Sequence, residues 1–197
     1  MWWMPTFLVR SYHMTIGQAG GLLGQMQLVA GTAGTLIASW LMRRPAATDP
    51  RHISRLLVWV TALGTLPSMA ILWGVPQHVL IVLLWIFTPA VYFYIGPILG
   101  LLQNVVPPHM RATTCAVLLF TANVANLVIA PQCIGWLSDW FSGSLGAGTE
   151  SLRWALIVLA PTGFWAAYHF ARSGFTIRQD EITARSMKAS AAVLPQR

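Results

Sequence analysis

Few residues in this chain are equipped for chemistry, and the two that stand out are amides. Asn123 and Asn126 sit three apart, on one helical face, in a charge-free run between Arg111 and Asp139. An amide in hydrocarbon is costly without a partner, so these two must meet either a neighbouring helix or a wet cavity. The first use is structural; the second lines a path for a solute. Stepping by four and three gives Ala112, Ala116, Leu119, Asn123, Asn126, Ala130 and Cys133, a small and polar face apart from Leu119. Val117, Phe120, Val124, Leu127 and Val128 form a greasy flank beside it.

Catalysis finds no foothold. His13, His52, His78, His109 and His169 are scattered, without metal-ligand spacing. The acids Asp49, Asp139, Glu150, Asp180 and Glu181 fall in loops or at the ends of apolar runs, and no Gly-x-Ser-x-Gly elbow is present. Cys115 and Cys133 are about 27 Å apart on one helix and cannot pair. Neither an enzyme nor any cofactor or metal is expected.

The elements that carry these residues are membrane spans. Of 197 residues 56% are hydrophobic and 9% charged, against roughly 25% charged in a soluble domain. The formal charge of +7 is not arranged as a basic stripe with aromatics, which excludes nucleic acid and leaves the bilayer as the expected partner.

Five full spans are expected, at about 17–42, 56–75, 79–102, within 105–140 and at about 152–171. The first carries Gly20, Gly24, Gln27, Gly31, Gly34 and Ala38 along one side, a seam that lets backbones approach closely. Pro67 predicts a kink in the second. Thr88-Pro89 and Gly96-Pro97 interrupt the third, where Thr88, Tyr92, Gly96, Leu99 and Gln103 share a face. Trp154, Trp165 and Tyr168 suit interfacial belts. The opening MWWMPTFLVRSYHMT reads as the end of a helix and lacks the features of a signal peptide. Residues 1–172 are expected to form the transmembrane half-bundle and 173–197 a disordered cytoplasmic tail. With the Arg43–Arg55 loop, the Gln103–Arg111 turn and the tail on one side, that side holds ten of twelve cations. They are Arg43, Arg44, Arg51, Arg55, Arg111, Arg172, Arg178, Arg185, Lys188 and Arg197, with Arg10 and Arg153 opposite. The positive-inside rule then puts the C-terminus in the cytoplasm.

VPPHMRATTCAVLLFTANVANLVIAPQCIGWLSD resembles the eleventh helix of the major facilitator superfamily, and more narrowly its bacterial spinster-like branch. PTFLVRS is similar to the end of the family's seventh helix and YIGPILGLLQNVVPP to its tenth. The resemblance implies an all-α polytopic membrane bundle comprising the end of helix seven plus helices eight to twelve. Arg43 stands where the loop after the eighth helix usually carries an Asp. The resemblance implies transport of a small organic solute by alternating access in a bacterial inner membrane. The chain would need an N-terminal half or a second copy. Spinster-like relatives suggest lipid-like or organic anionic substrates. Asn123, Asn126, Tyr92, Gln103 and Gln27 are then expected to line the substrate cavity. Gly20, Gly24, Gly31, Gly34 and Gly96 are expected to pack helices, and Pro107, Pro108 and Arg111 to form a cytoplasmic loop motif. The alternative is a non-transporting remnant or membrane scaffold.

Overall fold

A computed structural model describes residues 2–44 and 49–193. Among them there are only helices and connections: α1 (Met4–Tyr12), α2 (Ile16–Met26), α3 (Thr32–Met42), α4 (Pro50–Leu72) and α5 (Gln77–Phe93). They are followed by α6 (Ile95–Val105), α7 (Arg111–Asn123), α8 (Ala130–Leu145), α9 (Ser151–Leu159) and α10 (Thr162–Val193). The architecture is an all-α membrane bundle. Arg197 and the middle of the Arg43–Arg55 loop, residues 45–48, lie outside the described residues.

Local chemistry sets the boundaries. His13 adopts a left-handed conformation (φ 54°) that ends α1. Thr15 and Gln18 then form a reciprocal capping box, Thr15 Oγ1 accepting the Gln18 N–H at 3.2 Å and Gln18 Oε1 accepting the Thr15 N–H at 3.0 Å. Asp49 caps α4, accepting the Arg51 N–H at 2.9 Å, and Pro50 occupies the first turn.

Four stretches are long and apolar enough to cross a membrane: Pro50–Leu72, Gln77–Val105, Pro108–Leu145 and Gly148–Ala184. The difference from the expected five lies in the first span. Residues 16–42 are helical throughout, but their glycines and Gln18, Gln25 and Gln27 leave them less apolar than the other four. A π turn at Gln27–Gly31 separates α2 from α3, and a second, Val124–Ile129, separates α7 from α8. Each π turn admits an extra residue, so the face that a straight helix would continue is rotated across it.

Two further expectations are corrected. Helix α5 passes through Pro89 unbroken, and the interruption falls at Tyr94, ahead of Pro97. Pro97 has no N–H to continue the ladder there. Pro67, where a kink was expected, lies inside α4. The last span is divided at Ala160–Pro161, and α10 then continues to Val193 where a disordered tail was expected from 173. The continuation is a helix because it docks: Ile177 packs against the cluster of Ile53, Leu57 and Leu101, while Glu181 and Ala184 are buried.

The core is split between the two ends of the bundle. Phe7, Leu8, Leu23, Met26, Ile71, Leu80, Leu84 and Leu152 gather α1, α2, α4, α5 and α9 at one end. Ile53, Leu57 and Leu101, with Phe170 and Ile177, join α4, α6 and α10 at the other. The Arg43–Arg55 loop, the turn after α6 and the second half of α10 therefore share one end.

Candidate functional site

The stretch from Pro108 to Leu145 is unburied over its most apolar part, while its α8 portion packs against α9. Asn123 is exposed and its Nδ2 donates to the Leu119 carbonyl of its own helix at 2.8 Å. Asn126, also exposed, lies inside the π turn and lines an interhelical cleft of about 290 Å³. Trp3, Ser68, Phe87, Ile134 and Leu156 contribute to the same cleft from α4, α5, α8, α9 and the residue before α1. Ser68 Oγ is committed to the Thr65 carbonyl at 2.7 Å. The Trp3 indole nitrogen is buried and, among the described residues, has no hydrogen-bond partner. The cleft is thus an apolar surface with the Asn126 amide on its wall. The straight polar face drawn from Ala112 to Cys133 is not continuous, because the π turn intervenes. The greasy flank is not packed either: Val117, Phe120, Leu127 and Val128 are all exposed.

The remaining cavity candidates do not join Asn126 in this cleft. The Tyr92 ring lies on Gly31, where an added Cβ would stand 3.1 Å from a ring carbon. Gln27 is exposed at the start of the first π turn. Gln103 is exposed, its Nε2 lying 3.9 Å from Cys115 Sγ, a contact that ties α6 to α7.

The glycine seam is likewise divided by the π turn. Gly34 packs so closely on α5 that a Cβ would lie 2.5 Å from the Pro89 carbonyl oxygen, and Gly31 meets Tyr92. Gly20, Gly24 and Gly96 have open space where a Cβ would be. The tightest helix contact lies elsewhere, between α4 and α10. A Cβ on Gly163 would overlap the Thr65 side chain, and one on Gly174 would stand 2.9 Å from Ser54 Oγ. Ser54 Oγ donates to the Phe170 carbonyl at 2.5 Å. Sequence reasoning missed this seam. Its signal was the spacing of Gly163, Ala167 and Gly174, small residues four and seven apart facing hydroxyl side chains.

A second missed site joins the loops at the opposite end. Arg153 Nε donates to the Leu72 carbonyl at 2.7 Å, and its terminal nitrogens reach the Trp73 carbonyl at 2.5 Å and Glu150 Oε2 at 2.9 Å. The guanidinium thereby caps the C-terminus of α4, where orphan carbonyls and the helix dipole favour a cation. Gly74 permits the approach: its φ is +90°, and a Cβ would stand 2.5 Å from the arginine. Tyr12 Oη donates to the Val75 carbonyl, two residues beyond Trp73, at 2.9 Å. Burial raises the Tyr12 phenol above its ordinary value, opposed by the charge of Arg153. At the other end, the Arg51 N–H holds the Asp49 carboxyl below its ordinary value. Pro107 and Pro108 start a short 3₁₀ turn, and Arg111 opens α7 with its Nε 3.5 Å from the Val106 carbonyl.

Among the described residues no three His, Cys, Asp or Glu side chains gather as a metal site. No protein-family model matches the chain. The chain is 34% identical over 156 residues to an MFS-type efflux pump of Mycolicibacterium smegmatis, a match covering 79% of the chain. It spans 35% of that relative's length. The likeness is therefore to part of an MFS-type protein, and the long apolar helices suit the same membrane setting.

Proposed function

We propose that the chain is one wall of a secondary transporter that exports a small organic solute. It would work by alternating access against a second helical bundle, as the C-terminal half of such a protein. The observation that carries this reading is the unburied stretch 108–145. It bears Asn123, exposed and bonded to its own helix, and Asn126, exposed on the wall of the interhelical cleft. A bilayer-spanning helix with exposed amides needs a protein or aqueous surface opposite them. The relative's efflux activity suggests the direction of transport, and the motifs around Pro107, Pro108 and Arg111 favour the spinster-like branch. Gln27, Tyr92 and Gln103 would belong to the same wall once the opposing bundle is present, and exposed Gly20 and Gly24 suit a partner helix. The ten-to-two division of cations supports a cytoplasmic C-terminus in a bacterial inner membrane.

The test places single cysteines at 123 and 126 in a background with Cys115 and Cys133 changed to Ala. A membrane-impermeant thiol reagent is applied with and without a co-expressed N-terminal half. Labelling at both positions, lost or redirected by solute when the second half is present, is the expected result. A control cysteine at Val124 should remain dry. Failure of both asparagine positions to label, with loss of expression on Asn123→Ala, would favour the scaffold reading. Concentrative transport by the chain alone would remove the need for a distinct second half.

A further inference from the structure

An apolar cleft of about 420 Å³ opens at the end of the bundle where α3 finishes and α4 begins. Trp40, Leu41 and Met42 form one wall, and Ile53 and Leu56 the other. Arg44 and His52 stand at its rim. The Arg44 guanidinium lies 3.8 Å from the centre of the Trp40 ring, so its charge is held over the mouth of the cleft. Arg43, Arg51 and Arg55 flank the same short segment, and all three are exposed. Within residues 40–56 the sequence holds one acid, Asp49, which accepts the Arg51 N–H as the cap of α4 and lies 3.8 Å from His52 Nδ1. The local balance is therefore strongly cationic above an apolar floor.

We propose that this cleft binds an anionic phospholipid. The phosphate would meet Arg44 and His52, and an acyl chain would lie along Trp40, Ile53 and Leu56. Position, charge and surface each bear on the assignment. Residues 40–56 lie at the end of the helical stretch 16–42 and at the start of the membrane-crossing α4, a depth at which Trp and Arg meet lipid headgroups. Four arginines against one engaged carboxylate select an anionic over a zwitterionic headgroup. An almost wholly apolar lining suits a hydrocarbon chain and offers a small soluble anion nothing beyond the rim. The site is at the opposite end of α4 from the Arg153 clamp and is separate from the Asn126 cleft.

The test uses the full chain in phosphatidylcholine bilayers doped with a phospholipid carrying a photoreactive diazirine in its acyl chain. One arm uses the phosphatidylglycerol form and the other the phosphatidylcholine form. Cross-linked peptides carrying Trp40 or Leu56 are quantified by mass spectrometry. The phosphatidylglycerol probe should label them about fivefold more than the phosphatidylcholine probe. Arg44→Gln with His52→Gln should reduce the ratio to near one while leaving labelling elsewhere unchanged, and Arg44→Lys should keep much of the preference. Both side chains are exposed, so the double variant should fold. Equal labelling by the two probes in the unchanged chain would overturn the proposal in favour of ordinary surrounding lipid. So would a preference that survives the double substitution. Loss of the preference on adding excess inorganic phosphate would overturn it too, since the rim would then bind an anion and not a lipid.

Discussion

Helix α4 and the stretch 108–145 are both apolar enough to cross a bilayer, yet 28% of the α4 window is buried and none of the other. Apolarity cannot account for the difference, because lipid tails satisfy an apolar side chain as well as a neighbouring helix does. Side-chain size does. Ser54, Gly64 and Thr65 let α4 approach α10 and α5 closely, with Gly163 and Gly174 opposite and Ala90 3.0 Å from a Cβ position on Gly64. Along 108–145 the side-chain links to other spans are at Gln103–Cys115 and at Ser138–Ser151, whose hydroxyls are 3.1 Å apart, and α8 packs against α9, whereas α7 has no buried residue. Between them Val117, Phe120, Leu127 and Val128 offer bulk and no opposing groove. Packing in this bundle follows matched small residues, and the helix without them is left as a free wall.

The contrast is broken most severely by filling the α4–α10 seam. Gly163→Leu should destabilise the bundle by about 3 kcal/mol, because the overlap is with a packed neighbour and not with a flexible tip. Gly96→Leu should be neutral or stabilise slightly, since open space adjoins it and leucine favours the helix. Unfolding of the purified chain in detergent measures both, and equal losses would show that size matching is not the cause.

Removing Arg153 attacks the opposite end of α4. Arg153→Ala strips two carbonyls of a charged donor and should cost about 2 kcal/mol, as is typical of hydrogen bonds to charged groups. Arg153→Lys should recover part of this, because a single ammonium cannot reproduce the fork. Full recovery would mean that charge near the helix end suffices.

On the free wall the effects should be small. Asn123→Ala removes an amide bonded only to its own helix, so stability should change by no more than about 0.6 kcal/mol, the average for polar side chains between membrane helices. A loss several times larger would reveal a partner that the wall hides.

The smallest effect belongs to Asp49. Its folded value lies below the ordinary one, so its cap stabilises α4 above the unfolded value. That contribution should fade as pH falls through the depressed folded value, below 3.8. Asp49→Asn should flatten this acid dependence while keeping a cap; an unchanged acid profile would assign it to other carboxylates.

Long charge-free runs, Pro and Gly punctuation and the cation pattern made the membrane class, most spans and the helix order legible in the sequence. These properties depend on neighbours along the chain. The π turns were not legible, since inserting one residue into a helix leaves no compositional mark. They turned Gly20 and Gly24 away from Gly31 and Gly34 and interrupted the Asn123–Asn126 face. The Arg153 clamp and the Gly163 and Gly174 contacts lay outside the reading for a different reason. Arg153 and Leu72 are 81 residues apart, and the partners of Gly163 and Gly174 on α4 are still more distant in the chain, meeting them only once α4 and α10 lie side by side. The sequence by itself determined that this chain enters a membrane and in what order its helices do so. Which face of each helix is closed and which stays open was decided by the tertiary structure, because close packing depends on the shapes of distant surfaces brought together.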